Sequence, residues 1–180
     1  MTTVDDKVLG WTTDSASDQR RLRSVFGGFL TGVTTVSFRD EDRVWAFTAN
    51  SFTSVSLDPP LVLFCIANRS ASAERLLSVE EFCISFLAED QQHISDAFGR
   101  PSQQRDELAH SAFEGPVPAL RGATATLVCR REQRVSAGDH LIILGRVLRF
   151  RSSEARPLGY LRGQYVIPIA PPAATQAQQP

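Results

Sequence analysis

Two consecutive prolines in Asp58-Pro59-Pro60 stand directly before Leu61-Val62-Leu63-Phe64-Cys65-Ile66-Ala67, an unbroken apolar run. Proline has no N–H for a sheet ladder, so the pair stops whatever strand precedes it. The run behind it is too short to cross a bilayer. Apolar on both faces, it reads as a strand buried on both sides. A strand of that kind needs a sheet around it, and the flanking sequence supplies one.

Val33 to Phe38 is rich in Thr and Val, a charged turn follows at residues 39–43, and Val44 to Thr48 resumes a strand. Phe82 to Leu87 reads as another strand. Residues 123–135 and 140–151 form two long ones joined at Ala137-Gly138-Asp139. Helical spacing occurs at Leu22, Val25, Phe26, Phe29 and Leu30, with Ser17 or Asp18 as cap and Gly32 as stop, and again over 71–77 and 89–98. Residues 99–120 lack periodicity, hold Pro101, Pro116 and Pro118, and read as a surface excursion. Six or more strands without regular β-α alternation exclude a parallel doubly wound sheet and favour a closed antiparallel barrel. The domain is expected over 18–169, between a polar arm at 1–17 and a Pro/Ala/Gln tail at 170–180.

The 19 basic and 20 acidic residues of the 180-residue chain leave a net charge of −1, which gives no electrostatic case for nucleic acid or anionic lipid. The start carries Asp5 and Asp6 and no apolar segment, so no secretory leader is expected and the protein is assigned to the cytoplasm. Cys65, Cys83 and Cys129 are widely spaced in apolar runs and read as reduced core thiols. His93, His110 and His140 have no metal-ligand spacing, and no metal is expected.

Three segments stand out for chemistry. Thr48-Ala49-Asn50-Ser51-Phe52-Thr53-Ser54-Val55-Ser56 is dominated by small residues with hydroxyls or amides. It suits backbone lying along a flat polar ligand, or equally an edge strand and turn. Asn68-Arg69-Ser70-Ala71-Ser72 opens a helix and is either a phosphate cradle or an ordinary cap. Gly138-Asp139-His140 puts an imidazole at a strand mouth, as a functional group or as turn chemistry. The dinucleotide and P-loop fingerprints, the nucleophile elbow and glycosidase-spaced carboxylates are absent from the sequence.

Taken in order, Phe29–Val36, Thr48–Leu61 and Gly138-Asp139-His140, closed by Pro157–Tyr165, resemble the flavin reductase-like family of small NAD(P)H:flavin oxidoreductases that serve two-component monooxygenases. The resemblance runs from about Leu22 to Tyr165. It departs at Ala46, where the family usually has Gly, and at Ser85, where Asn is common. It implies a mainly β fold, a Greek-key split antiparallel β-barrel of the FMN-binding type with a few short helices, assembled as a homodimer. It implies FMN or FAD, NADH or NADPH as hydride donor, and an oxygenase component that receives reduced flavin. By position, Thr48, Ala49, Asn50, Ser51, Ser54, Val55 and Ser56 would line the flavin ring and its chain. Asn68, Arg69, Ser70 and Ser72 would sit near the phosphate, and His140 beside the nicotinamide. Other functions compatible with such a barrel are a flavoprotein that retains FMN, either pyridoxamine-phosphate-oxidase-like or a redox sensor, and a non-enzymatic module that binds a partner protein.

Overall fold

The helical stripe at the start of the chain becomes helix α1, Gln19–Phe26, shorter than its periodicity predicts. Gly27 and Gly28 follow, poor helix formers that turn the chain out through Gly28 N–H to Val25 O at 3.0 Å. The computed structural model describes residues 19–100 and 105–169, so the expected arm and tail, and the two candidate caps of α1, lie outside the described residues. The stripe does not bury itself: no residue of α1 is buried, and Val25, Phe26 and Phe29 are exposed.

Strands β1 (Thr31–Gly32), β2 (Thr34–Asp40), β3 (Arg43–Ala49), β4 (Thr53–Leu57) and β5 (Pro60–Ala67) follow. Next come α2 (Ala71–Ser78), β6 (Glu81–Phe86), α3 (Gln92–Gly99), α4 (Arg105–Ser111), β7 (Phe113–Glu114) and β8 (Ala119–Leu120). The long strands β9 (Ala125–Ala137) and β10 (His140–Ser152) then lead to the short hairpin of β11 (Gly159–Leu161) and β12 (Gln164–Val166). Seven strands form one antiparallel sheet in the order β3-β2-β6-β9-β10-β5-β4, and β1-β11-β12 form a second.

The order forces curvature. β3 and β4 are neighbours in sequence, yet they occupy opposite edges of the seven-stranded sheet. Laid flat, six strand spacings would separate them by about 29 Å. The chain from Ala49 to Thr53 reaches about 14 Å at most. The sheet is therefore rolled, and Asn50-Ser51-Phe52 joins its two edges. Val36, Phe47, Phe64, Phe82 and Ile143 fill the inside, with the Phe64 ring 5.9 Å from Phe47 and 5.5 Å from Phe82. A Cβ on Gly145 would stand 2.7 Å from Phe82 Cζ, so only glycine lets β10 pass over that ring.

The other face of β2, β3, β6 and β9 is polar but covered. Thr48, Thr35, Ser85 and Thr126 form one cross-strand row. Leu120 N–H donates to Ser85 Oγ at 3.2 Å, and Ser37 Oγ donates to Pro118 O at 2.5 Å. These bonds fasten residues 105–120, part of the 99–120 segment, to the sheet. That segment is not the aperiodic excursion expected of it, because it contains α4 and the β7–β8 hairpin and buries Ala109, Phe113 and Leu120. The expected helix over 89–98 starts only at Gln92; Ile94 and Ala97 are buried and His93 is exposed.

The apolar run also needs correction. β5 buries Val62, Phe64 and Ile66, while Leu61, Leu63, Cys65 and Ala67 are only half-buried. The helices cover the β2–β3 half of the sheet, and nothing among the described residues fully covers the outer face of β5. Cys83 and Cys129 are buried and free, and desolvation pushes both thiols up to about 12, as expected of inert core cysteines. No described helix is long and apolar enough to cross a membrane.

Candidate functional site

β5 is the strand that gathers the three segments. On one side Thr53 pairs with Leu63, and Cys65 N–H donates to Ser51 Oγ at 2.9 Å. On the other side Ala67 pairs with His140, and Cys65 with Ile142. At the end of β5, Asn68 N–H donates to Asp139 O at 2.9 Å, and Asn68 Nδ2 to Gly138 O at 3.2 Å. The Asn50–Thr53 ribbon and the start of β10 thus flank the C-terminal half of β5, two strand spacings or about 10 Å apart.

The polar groups of the ribbon divide into two sets. Thr48 Oγ1 donates to Ser95 O at 2.9 Å, and Ser51 Oγ is engaged with the Cys65 backbone. Ala49 is buried, and its carbonyl accepts from Thr34 Oγ1 at 2.7 Å. These three hold the fold. Asn50, Thr53, Ser54 and Ser56 have no side-chain hydrogen bond among the described residues, and Asn50 and Ser54 are exposed. A register shift between Ser54 and Ser56 leaves Val55 as the extra, exposed residue of a bulge, a device that re-aims neighbouring side chains at an edge.

A cavity of about 470 Å³, the size of a small-molecule site, lies against the ribbon. Thr31–Thr34 form one wall and Asn50–Thr53 another, with Phe86 and Leu158 behind. Thr31 lines the cavity, and its Oγ1 is buried without a hydrogen-bond partner among the described residues. A smaller cavity of about 190 Å³ shares Val33 and Asn50 with the first. Thr31 and Thr53 escaped the residue-by-residue reading. Both stand inside the quoted segments, but only the folded chain shows that they line one cavity.

Asn68, Arg69, Ser70, Ser72 and His140 line neither cavity and form a second corner of the region. Ser70 caps α2, its hydroxyl accepting from Ser72 N–H at 3.3 Å, and Ser72 is buried. Asn68 and Arg69 stay exposed. His140 Nδ1–H donates to Asp139 Oδ1 at 2.7 Å, which leaves Nε2 for another partner. That bond, then the His140 and Arg69 charges, hold the Asp139 carboxyl below its usual range. A depressed carboxyl pKa means that the pairing is intact at neutral pH and lost as pH falls through the lowered value. Among the described residues no histidine hydrogen-bonds a hydroxyl or thiol. The larger cavity is lined mostly by apolar residues, with Thr31, Asn50 and Thr53 among its polar groups.

A family model described as a flavin reductase like domain matches residues 26–167. The reductase component of a flavin-dependent trigonelline monooxygenase from Acinetobacter baylyi is 42% identical over 157 residues, covering 86% of this chain and 51% of that protein. The reductase subunit HsaB of a flavin-dependent monooxygenase from Rhodococcus jostii is 39% identical over 160 residues, covering 87% and 81%. Among solved structures, the NADH:FAD oxidoreductase SgcE6 of Streptomyces globisporus, in complex with NAD and FAD fragments, superimposes with a TM-score of 0.79 at 32% identity, over 97% of this chain and all of that one. The chain spans about half the length of the first curated relatives it matches.

Proposed function

The chain belongs to the flavin reductase-like family, and on that footing we propose that it is an NAD(P)H:flavin oxidoreductase that supplies reduced FMN or FAD to a separate monooxygenase component. The observation that carries the reading is one cavity that brings together Thr31, Asn50 and Thr53, with the Asn50 amide and the Thr53 hydroxyl free of partners among the described residues. They fit a flat heterocycle rich in carbonyls and ring nitrogens. The relatives named above support the choice of flavin and nicotinamide. The three free cysteines suit a reducing compartment such as the cytoplasm.

Flavin, when bound, supplies the hydride acceptor. The protein's part is binding and positioning. Backbone N–H groups and hydroxyls of Asn50–Ser56 stabilise negative charge at the ligand's edge. Asn68, Arg69, Ser70 and the start of α2 offer donors to a phosphate. His140, oriented by Asp139, forms a wall for the nicotinamide and presents Nε2 to it. The ligand is held by hydrogen bonds alone, which suits a product that must leave.

NADH oxidation measured with and without added FMN, FAD and riboflavin tests the reading. Strong flavin dependence is expected, and none at all would overturn it. Asn50→Ala should weaken flavin binding a few-fold to tenfold, the effect of one lost ligand hydrogen bond of about 0.5–1.5 kcal/mol, with little change in melting temperature. Unchanged flavin affinity with a collapsed melting temperature would make the ribbon purely structural.

The rolled sheet is read as the split barrel of the family, working as a homodimer. Leu63, Cys65, Ile142 and Leu144 share the half-covered outer face beside the ribbon, and α1 leaves its apolar stripe exposed. A second copy would cover such surfaces and close the site. Light scattering should give twice the 19.8 kDa chain mass at micromolar concentration, and the monomer mass would count against the dimer.

A further inference from the structure

The wall Thr31–Thr34 of the larger cavity starts in one sheet and ends in the other, at Thr34 of β2, which pairs with Ala49 beside the opposite wall. Asn50–Thr53 leave the seven-stranded sheet at the end of β3, and Thr31 and Gly32 are β1 of the three-stranded sheet. Besides that direct pair, one turn of α3 ties the small sheet to the Asn50 wall. Thr48 Oγ1, two residues before Asn50, donates to Ser95 O at 2.9 Å. From the other sheet, Tyr165 Oη lies 2.9 Å from Ser95 Oγ and 2.8 Å from Asp96 Oδ1. A phenol has one proton and a carboxylate only accepts, so Tyr165 donates to Asp96 and the Ser95 hydroxyl donates back to Tyr165. Ser95 is 2% exposed, and among the described residues its hydroxyl has no other partner.

The register carries this tie to the cavity. Tyr165 pairs with Tyr160, and Tyr160 pairs with Thr31, so the three stand in one row across the small sheet. The row ends at the residue whose buried hydroxyl has no partner. The Tyr165 and Tyr160 rings also pack edge to face at 5.4 Å. From Asn50 the connection runs through Thr48, Ser95, Tyr165 and Tyr160 to Thr31. Each link is a hydrogen bond, a strand pair or a short stretch of backbone.

We propose that Tyr165 is a positioning residue for flavin: through Ser95 and Asp96 it sets the distance between the Thr31 wall and the Asn50 wall of the cavity. The inference rests on the reading of that cavity as the flavin site. Without the phenol hydroxyl the small sheet keeps its backbone pairing but loses its anchor on α3. The Thr34–Ala49 pair still holds the inner end of that wall, but Thr31, three residues out, can then shift relative to Asn50, and groups that must contact one ring together no longer do so.

The test is Tyr165→Phe, which keeps the ring packing and removes only the hydroxyl. Flavin dissociation constants come from equilibrium titration with FMN and FAD, and KM and kcat from NADH oxidation. The expected result is flavin binding roughly three- to tenfold weaker, with KM for flavin raised to match and kcat at saturating flavin within twofold of wild type. Asp96→Ala should reproduce the defect from the helix side, also if Tyr165→Phe proves unstable, and Asp96→Asn, which retains an acceptor oxygen, should keep flavin affinity within twofold. A merely structural role would lower the active fraction, and with it kcat, at unchanged KM. That pattern, or unchanged flavin affinity in both Tyr165→Phe and Asp96→Ala, overturns the proposal while the flavin reading stands. A wild-type protein that neither binds flavin nor oxidises NADH with it overturns the flavin reading and the proposal together.

Discussion

Phe64→Ala should destabilise the protein by about 3–5 kcal/mol, the usual range for emptying a fully buried aromatic site. Phe64 has no exposed surface and packs between the Phe47 and Phe82 rings. Its strand pairs with β4 on one side and with β10 on the other. The cavity would open inside the roll, where neighbours held by strand pairing relax only partly. For a domain of this size the loss corresponds to a melting temperature lower by roughly 6–20 °C. Chemical denaturation with an unchanged m-value checks the figure. A loss below about 1 kcal/mol would mean that the inside is looser than its packing shows.

The largest effect on turnover is expected from His140→Ala, a fall in kcat/KM for NADH of about tenfold to a hundredfold, or roughly 1.4–2.7 kcal/mol of transition-state stabilisation. The imidazole stands at the first position of β10, fixed by Asp139, on the same face as Ala67 and at the opposite side of β5 from the ribbon. Removing it takes away one wall and one hydrogen-bonding nitrogen, and none of the free groups of the ribbon. Flavin affinity should therefore stay nearly constant. Rapid-mixing reduction of bound flavin separates this from turn chemistry: wild-type reduction rates in a well-folded His140→Ala protein would leave only the hairpin role.

Much of the fold could be read residue by residue where local chemistry decides it. The Ser70 cap, the stop at Asp58-Pro59-Pro60 and the Gly138-Asp139 turn lie within a residue or two of where their side chains put them. What local chemistry does not decide is coverage. An apolar strand looks the same whether a helix or another copy lies over it, so β5 reads in sequence as buried on both faces although its outer face is only half-covered. The candidate site divides in the same way. The ribbon stands out by composition, yet nothing local distinguishes the hydroxyl of Ser51, used to hold β5, from those of Thr53 or Ser54, left free. Strand order alone makes that distinction. It also brings Thr31 into the cavity, from a strand that belongs to another sheet.

The three-residue connection between the outermost strands has a thermodynamic consequence. Residues 50–52 join strands at opposite edges, and the same residues line the cavity. Anything that lets those edges drift apart also dismantles the binding surface, so occupancy and cohesion of the roll are linked functions. Ligand present at a hundred times its dissociation constant adds about 2.7 kcal/mol to the closed state. After the product departs, that increment is gone until the next molecule arrives. On the flavin-reductase reading proposed above, a protein of this design is firmest while loaded and most prone to local opening once its ligand has left, which would make its conformational stability a running record of how much flavin surrounds it.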